Sequence, residues 1–278
     1  MKDIKLIAFD LDGTLFTTDK TITPRTYEAL HAASLKGIEI VPATGRFLRT
    51  IPEPIKRMDY IKYIISINGA YVYDRLNNRP VYRAEIDRVK AVEILKFLDT
   101  LPVAYDCYAD NDSFMNRQMM ENITDHIADP FYLKMLRDSR KTVDELKAHI
   151  AAGSVDIQKM MAYTLDGEVK AYMMKELASR FEGLTITSSI RENVEINDQG
   201  ANKGIAIRKI AHDMGISMDQ VMAFGDSYND IPMLEAAGTG VCMANGAADA
   251  KAVSQLIAPS NDEEGVAYII ERELLGAE

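Results

Sequence analysis

The run Ile4-Lys5-Leu6-Ile7-Ala8-Phe9 stops on Asp10-Leu11-Asp12-Gly13, and that ending restricts what the chain can build. A short apolar run rich in Ile and Leu reads as a buried strand. Carboxylates spaced i, i+2 lie on one side of an extended chain. Gly13 follows at once, where the backbone has to turn sharply. Two negative charges at the carboxyl end of a buried strand are costly without a cation. In open parallel sheets that edge is where ligands bind. The stretch therefore points to a Mg²⁺-assisted site with a carboxylate nucleophile. Taken alone, the pair is equally compatible with a capped strand end or an adventitious cation site. An EF-hand is excluded, because its loop needs a third oxygen ligand before the Gly and a Glu at its end.

The chain beyond repeats the arrangement. Thr23-Pro24 is a helix start, with Thr as N-cap and Pro at the first helical position. Gly37 closes that helix. Ile38 to Val41 forms a second strand running into Pro42-Ala43-Thr44-Gly45-Arg46. Strand, helix and strand of these lengths make a βαβ unit and a parallel sheet. Thr44 then stands at a second strand end, before a Gly whose backbone N–H can face an anion, a plausible phosphate cradle. Simple turn chemistry also accounts for Thr-Gly. Prolines 52 and 54 predict a broken or late helix after Phe47. Tyr63 to Ile67 is a third strand ending on Asn68-Gly69-Ala70, and a hairpin is expected around Asn77-Asn78.

From about Ala84 the pattern changes to interspersed strands and helices without phosphate-type loops, which implies a separate α+β module. The strand-and-helix alternation of the first eighty residues returns at Lys203. Val221 to Phe224 is a strand ending on Gly225-Asp226-Ser227-Tyr228-Asn229-Asp230. Thr239 to Met243 is the next strand, followed by a helix around Asp249 to Leu256 and a last helix from about Glu264 to Leu275.

Composition narrows the function classes. The net charge of −10 argues against a binder of nucleic-acid phosphates, although a small phosphorylated ligand needs only local positive charge. Cys107 and Cys242 have no metal-like spacing and fit a reduced, cytoplasmic setting. Asp10 and Asp12 interrupt the first apolar run too early for a signal peptide. No uncharged stretch approaches a membrane span.

Together these motifs resemble the haloacid dehalogenase-like (HAD) superfamily phosphatases of the Cof type. Asp10-Leu11-Asp12-Gly13-Thr14 resembles the family's first motif and Thr44-Gly45-Arg46 its second. Lys203-Gly204 resembles the third, and Gly225-Asp226-Ser227-Tyr228-Asn229-Asp230 the fourth. Asn68-Gly69-Ala70 and the segment from Ser260 to Ala267 are similar to subfamily signatures. Ala244-Asn245-Gly246 departs from the usual Gly-Asn-Ala order. The resemblance implies an α/β fold: a Rossmann-like doubly wound parallel-sheet core, residues 1–83 and 192–278. Residues 84–191 would be an inserted α+β cap of type II, subclass B, that carries specificity.

The resemblance also implies roles. Asp10 would be the nucleophile that forms an aspartyl-phosphate. Asp12 would be the general acid and base; its first task needs it protonated when substrate is bound, which proximity to other acids would favour. Asp10, the Asp12 carbonyl, Asp226 and Asp230 would hold Mg²⁺. Thr44, Gly45, Lys203 and Asn229 would bind the phosphoryl group. Arg46 and Asn68 are candidate substrate contacts, with a structural cation equally open for Arg46. The expected activity is hydrolysis of small phosphorylated metabolites, sugar phosphates first. No nucleic-acid or membrane partner is expected, and the chain would be a monomer or small homo-oligomer. A sugar phosphomutase of the same architecture and a non-catalytic phospho-ligand-binding protein remain alternatives.

Overall fold

A computed structural model describes residues 3–110, 112–153, 156–188 and 190–276. The chain divides into two compact units. The first comprises residues up to 46, 51–83 and from 202 onward, and the second comprises 47–50 and 84–201.

The first unit is built on a parallel sheet of five strands. Their spatial order is Leu256–Ala258, Thr239–Met243, Val221–Gly225, Leu6–Phe9 and Glu39–Pro42. The apolar run at the chain's start is thus a central strand, with Leu6 opposite both Val221 and Glu39. All four of its residues are fully buried, as a strand covered on both faces requires. Leu6 and Ala8 pack with Ile207, Ile210, Met233 and Leu234 on one face. Ile7 and Phe9 point to the other face, by the two-residue alternation of a strand. Helix Pro24–Leu35 starts as its sequence dictates: Thr23 caps it, accepting from the Thr26 N–H, and Pro24 opens its first turn. Helix Pro24–Leu35 in turn packs on helix Gly265–Ile270.

An antiparallel sheet of Tyr63–Ser66, Tyr71–Asp74 and Arg79–Arg83 belongs to the same unit. It adjoins the parallel sheet through a bridge between Ala43 and Ile65. The expected hairpin is present, with Asn78 at φ 50° in its turn. After Phe47 only a short 3₁₀ turn forms, and helix Glu53–Lys56 begins after Pro52. Leu256 is not the end of a helix, as its sequence suggested. It opens the fifth parallel strand, and the preceding helix is Ala248–Val253. Three residues of strand are too short for periodicity to separate them from a helix end.

The second unit carries a six-stranded sheet in the order Leu184–Thr187, Asn193–Asp198, Ile157–Tyr163, Ala104–Ala109, Asp112–Asn116 and Lys141–Val143. Neighbours are antiparallel except the last pair. One face of this sheet is apolar. Tyr105, Cys107, Met160, Val194 and Ile196 pack there with Ile94, Leu98, Ile150 and Leu177 from the helices. The opposite face is buried but polar. Arg140 pairs with Asp106 at 2.8 Å and Lys159 with Glu195 at 2.6 Å, all four side chains at most 6% exposed. The boundary expected at residue 191 therefore moves. Strand Asn193–Asp198 is hydrogen-bonded into this second sheet through Val194 opposite Ala162, so the unit runs to Ala201. The stretch Val194-Glu195-Ile196 carries no mark of which sheet it will join.

Candidate active site

Two neighbouring strands of the parallel sheet and the start of one helix meet at one edge. Asp10 follows the central strand, and its backbone N–H donates to Phe224 O at 3.0 Å, continuing the ladder one residue further. Asp226 follows the neighbouring strand Val221–Gly225 directly. Lys203 is the first residue of helix Lys203–Met214, which Asn202 caps by accepting from the Ile205 N–H at 2.8 Å. That cap fixes where the Lys203 side chain leaves the helix.

Lys203 is completely buried, and its ammonium donates to Asp10 Oδ1 at 2.5 Å and to Asp230 Oδ1 at 2.6 Å. The second oxygen of Asp230 accepts from the Asp226 and Ser227 N–H groups, both at 2.9 Å. Asp230 thus ties the turn after the second strand to the lysine. Thr14 Oγ1 donates to Asp226 Oδ1 at 2.7 Å. Gly13 lies at φ 88°, and a Cβ there would come within 2.5 Å of Asp226 Oδ2. Its place in the Asp-Gly-Thr run is thus set by the close approach of two loops as well as by the turn.

The charges are unevenly balanced. One carboxylate oxygen from each of Asp10, Asp226 and Asp230 lies within 4.8 Å of the others. Burial raises Asp10; the Lys203 charge lowers it, Asp230 opposes that, and the net position is about 7. Burial likewise lifts Asp226 to about 6, despite the Thr14 hydrogen bond. Burial alone would depress Lys203, but Asp10 and Asp230 outweigh it and push the ammonium up. The Lys203 charge does not balance three close carboxylates, and negative charge is left over. A set of hard oxygen donors at this spacing could hold a divalent cation such as Mg²⁺.

Asp12 is placed otherwise. Its carboxylate is gripped by Arg46, Nε to Oδ2 at 2.8 Å and Nη2 to Oδ1 at 3.0 Å, and by Lys20 Nζ at 3.0 Å. Burial raises its pKa, but the hydrogen bonds and charges of Arg46 and Lys20 more than offset this, and the net shift is downward. Without substrate the two cations are nearer to the Asp12 carboxylate than the neighbouring acids and favour its ionised form. Its carboxylate is also outside the three-acid group.

The second-strand loop is organised around Thr44. Its hydroxyl is buried and accepts from the Arg46 N–H at 3.2 Å. Asn229 Nδ2 donates to Asn68 Oδ1 at 3.0 Å. Three residues make contacts that the sequence does not announce. Lys20 reaches Asp12 from a loop with no periodic signal, and Thr14 secures Asp226 from within the first motif. Asn245 Nδ2 donates to Gly13 O at 2.8 Å while its Oδ1 accepts from the Asn261 N–H at 3.0 Å. The shuffled Ala244-Asn245-Gly246 segment thus keeps its central Asn where it braces the Asp10–Gly13 loop.

Comparison with known proteins agrees with this geometry. The haloacid dehalogenase-like hydrolase profile matches residues 7–270. The 5-amino-6-(5-phospho-D-ribitylamino)uracil phosphatase YcsE of Bacillus subtilis is 30% identical, over 96% of this chain and 95% of that protein. The pyridoxal phosphate phosphatase YbhA of Escherichia coli is 28% identical, over 98% and 99%. A solved haloacid dehalogenase-like hydrolase from B. subtilis superposes with a TM-score of 0.80 at 30% identity, covering 98% of this chain and 100% of that one. An Asp after a central parallel strand, a buried Lys bridging it to a second acid, and similarity along nearly the whole length have one common explanation: this chain belongs to the haloacid dehalogenase-like hydrolase family.

Proposed function

We propose that the protein is a Mg²⁺-dependent phosphatase of small phosphorylated metabolites, sugar phosphates or similar, acting through an aspartyl-phosphate. The observation that carries this reading is the buried Lys203 bridging Asp10 and Asp230 beside Asp226. The two relatives' names, a ribityl phosphate and a pyridoxal phosphate phosphatase, support the class of substrate and not a particular compound.

In this reading Asp10 attacks phosphorus. A new bond forms from its carboxylate oxygen to phosphorus as the bond to the leaving alkoxide breaks. Asp12 protonates that alkoxide, then takes a proton from the water that hydrolyses the acyl-phosphate. The ion pair with Arg46 and Lys20 suits the second task and must open for the first. Thr44, the Gly45 N–H, Lys203 and Asn229 face the phosphoryl oxygens, whose charge must be matched in the transition state. Asp10, the Asp12 carbonyl, Asp226 and Asp230 would hold Mg²⁺. Bound there, the ion supplies charge neutralisation at the phosphoryl oxygens.

The test is phosphate release from a panel of phosphorylated metabolites, with Mg²⁺ or EDTA. Release that requires Mg²⁺ is expected, and the ranking of compounds names the substrate class. A folded protein that releases phosphate from no compound would overturn the reading.

Acidity gives a second check. Asp10 at about 7 and Asp226 at about 6 lie above their ordinary 3.8. Between the unfolded and folded values the folded state binds more protons. Stability of the metal-free protein therefore falls as pH rises from about 4 to about 7. A cation that binds the ionised site offsets that loss. Mg²⁺ should raise the melting temperature more at pH 8 than at pH 5, read against EDTA at each pH. An equal rise at both values would contradict the assignment of these carboxylates.

A further inference from the structure

Three consecutive residues, Ile67, Asn68 and Gly69, lie at φ 51°, 54° and 99°. Glycine adopts such angles freely and Asn tolerates them, but a β-branched residue there is a true outlier. Strain of this kind persists only where surrounding contacts impose it, and it gathers at functional sites.

The contacts that impose it reach every loop expected to hold the phosphoryl group. Ile67 is fully buried, and its N–H donates to Arg46 O at 3.0 Å. The Asn68 N–H donates to Thr44 O at 3.0 Å, and the Thr44 N–H donates back to Ile65 O at 2.9 Å. The Asn68 side chain accepts from Asn229 Nδ2. It also fills the space beside Gly45, where an added Cβ would meet its Oδ1 at 2.8 Å. Gly69 lies so close to the Asn202–Lys203 backbone that a Cβ would come within 2.3 Å of Asn202 and 2.8 Å of the Lys203 nitrogen. One turn therefore touches the Thr44–Arg46 loop, the start of the Lys203 helix and Asn229.

We infer that Asn68 is a positioning residue for the phosphoryl group: its amide, presented by this strained turn, sets Gly45 and Asn229 in place to grip the phosphoryl oxygens. This rests on the phosphatase reading above. The turn supplies rigidity and the side chain supplies registration between loops. A displacement of about 1 Å in such groups is enough to lose on the order of a hundredfold in rate.

Asn68→Gly separates the two contributions. Glycine keeps the left-handed backbone at no steric cost and deletes only the amide, so the melting temperature should be unchanged or higher. For p-nitrophenyl phosphate, kcat/KM should fall tenfold or more, with a parallel rise in the Ki of orthovanadate. Asn229→Ala should give a similar fall, and the double variant should be little worse than either single one, because the two side chains act as a unit. Wild-type kcat/KM and orthovanadate Ki in Asn68→Gly would overturn the inference. So would a loss of activity matched by a loss of melting temperature, since that is what a merely structural residue gives. If the wild-type protein neither releases phosphate nor binds orthovanadate, this inference and the phosphatase reading fall together. An active wild type with an indifferent Asn68→Gly overturns the inference alone.

Discussion

Asp10→Asn should lower phosphate release by at least about a thousandfold, as loss of a covalent nucleophile does elsewhere, while the protein stays folded. An amide oxygen is neither charged nor basic enough to displace an alkoxide from phosphorus, so no slow version of the same step survives. The geometry predicts that the fold tolerates the change. Asparagine keeps the shape and one carbonyl oxygen, the atom type that now accepts from Lys203 at 2.5 Å, and Lys203 retains its second partner Asp230 at 2.6 Å. The substitution also removes one of three crowded negative charges. Near neutral pH without Mg²⁺, stability should therefore not decrease. Steady-state phosphate release, thermal melts and far-UV circular dichroism on the same preparation check all parts. Turnover within tenfold of wild type would remove Asp10 as nucleophile. A collapsed melt would leave Asp10 as a structural residue instead.

Much of this site was legible because its chemistry depends on residue type at strand ends. An apolar run that stops on two acids has few destinations, and the βαβ spacing set its strand beside Glu39–Pro42 in a parallel sheet; that Asp226 follows the strand on its other side only the fold shows. The helix start at Thr23-Pro24 could be read for the same reason: capping is local, and nothing distant competes with it. Legibility ended where distant partners decide. Nothing near Asp12 in sequence announces that Arg46 and Lys20 will hold it when no substrate is bound. The inserted unit was harder still. Val194 to Ile196 was recognisable as a strand, but its place in the second sheet depends on Ala162 and its neighbours, a whole helix and a further strand away along the chain. The buried polar face of that sheet could not be foreseen either. Alternating residues such as Asp106 and Lys159 would normally mark the solvent side of a sheet, and only the fold shows them to be enclosed and paired with Arg140 and Glu195.

Lys203→Met tests the other half of the site, and here the expected loss is in both stability and turnover. Methionine matches the length and much of the volume of the lysine stem, so packing around the first turn of the helix should survive. What disappears is the ammonium that faces two enclosed carboxylates, at 2.5 Å from Asp10 and 2.6 Å from Asp230. Breaking a buried ion pair from one side typically costs about 3–5 kcal/mol, because the remaining charge is left without compensation. The loss should be largest near neutral pH. It should shrink on acidification, since the raised folded pKa of Asp10 means that mild acid neutralises the stranded carboxylate before the unfolded chain takes up protons. Mg²⁺ should restore part of the stability, because it supplies positive charge at the same acids. It should not restore turnover, because the phosphoryl oxygens would still lack the lysine in the transition state. A double variant, Lys203→Met with Asp230→Asn, should be more stable than Lys203→Met alone, since one stranded charge is gone. Urea midpoints at pH 5 and 8, with and without Mg²⁺, read each of these differences. A Lys203→Met protein with the wild-type midpoint at pH 8 would mean that the buried ammonium carries no net stabilisation. One that also kept wild-type turnover would remove Lys203 from the site.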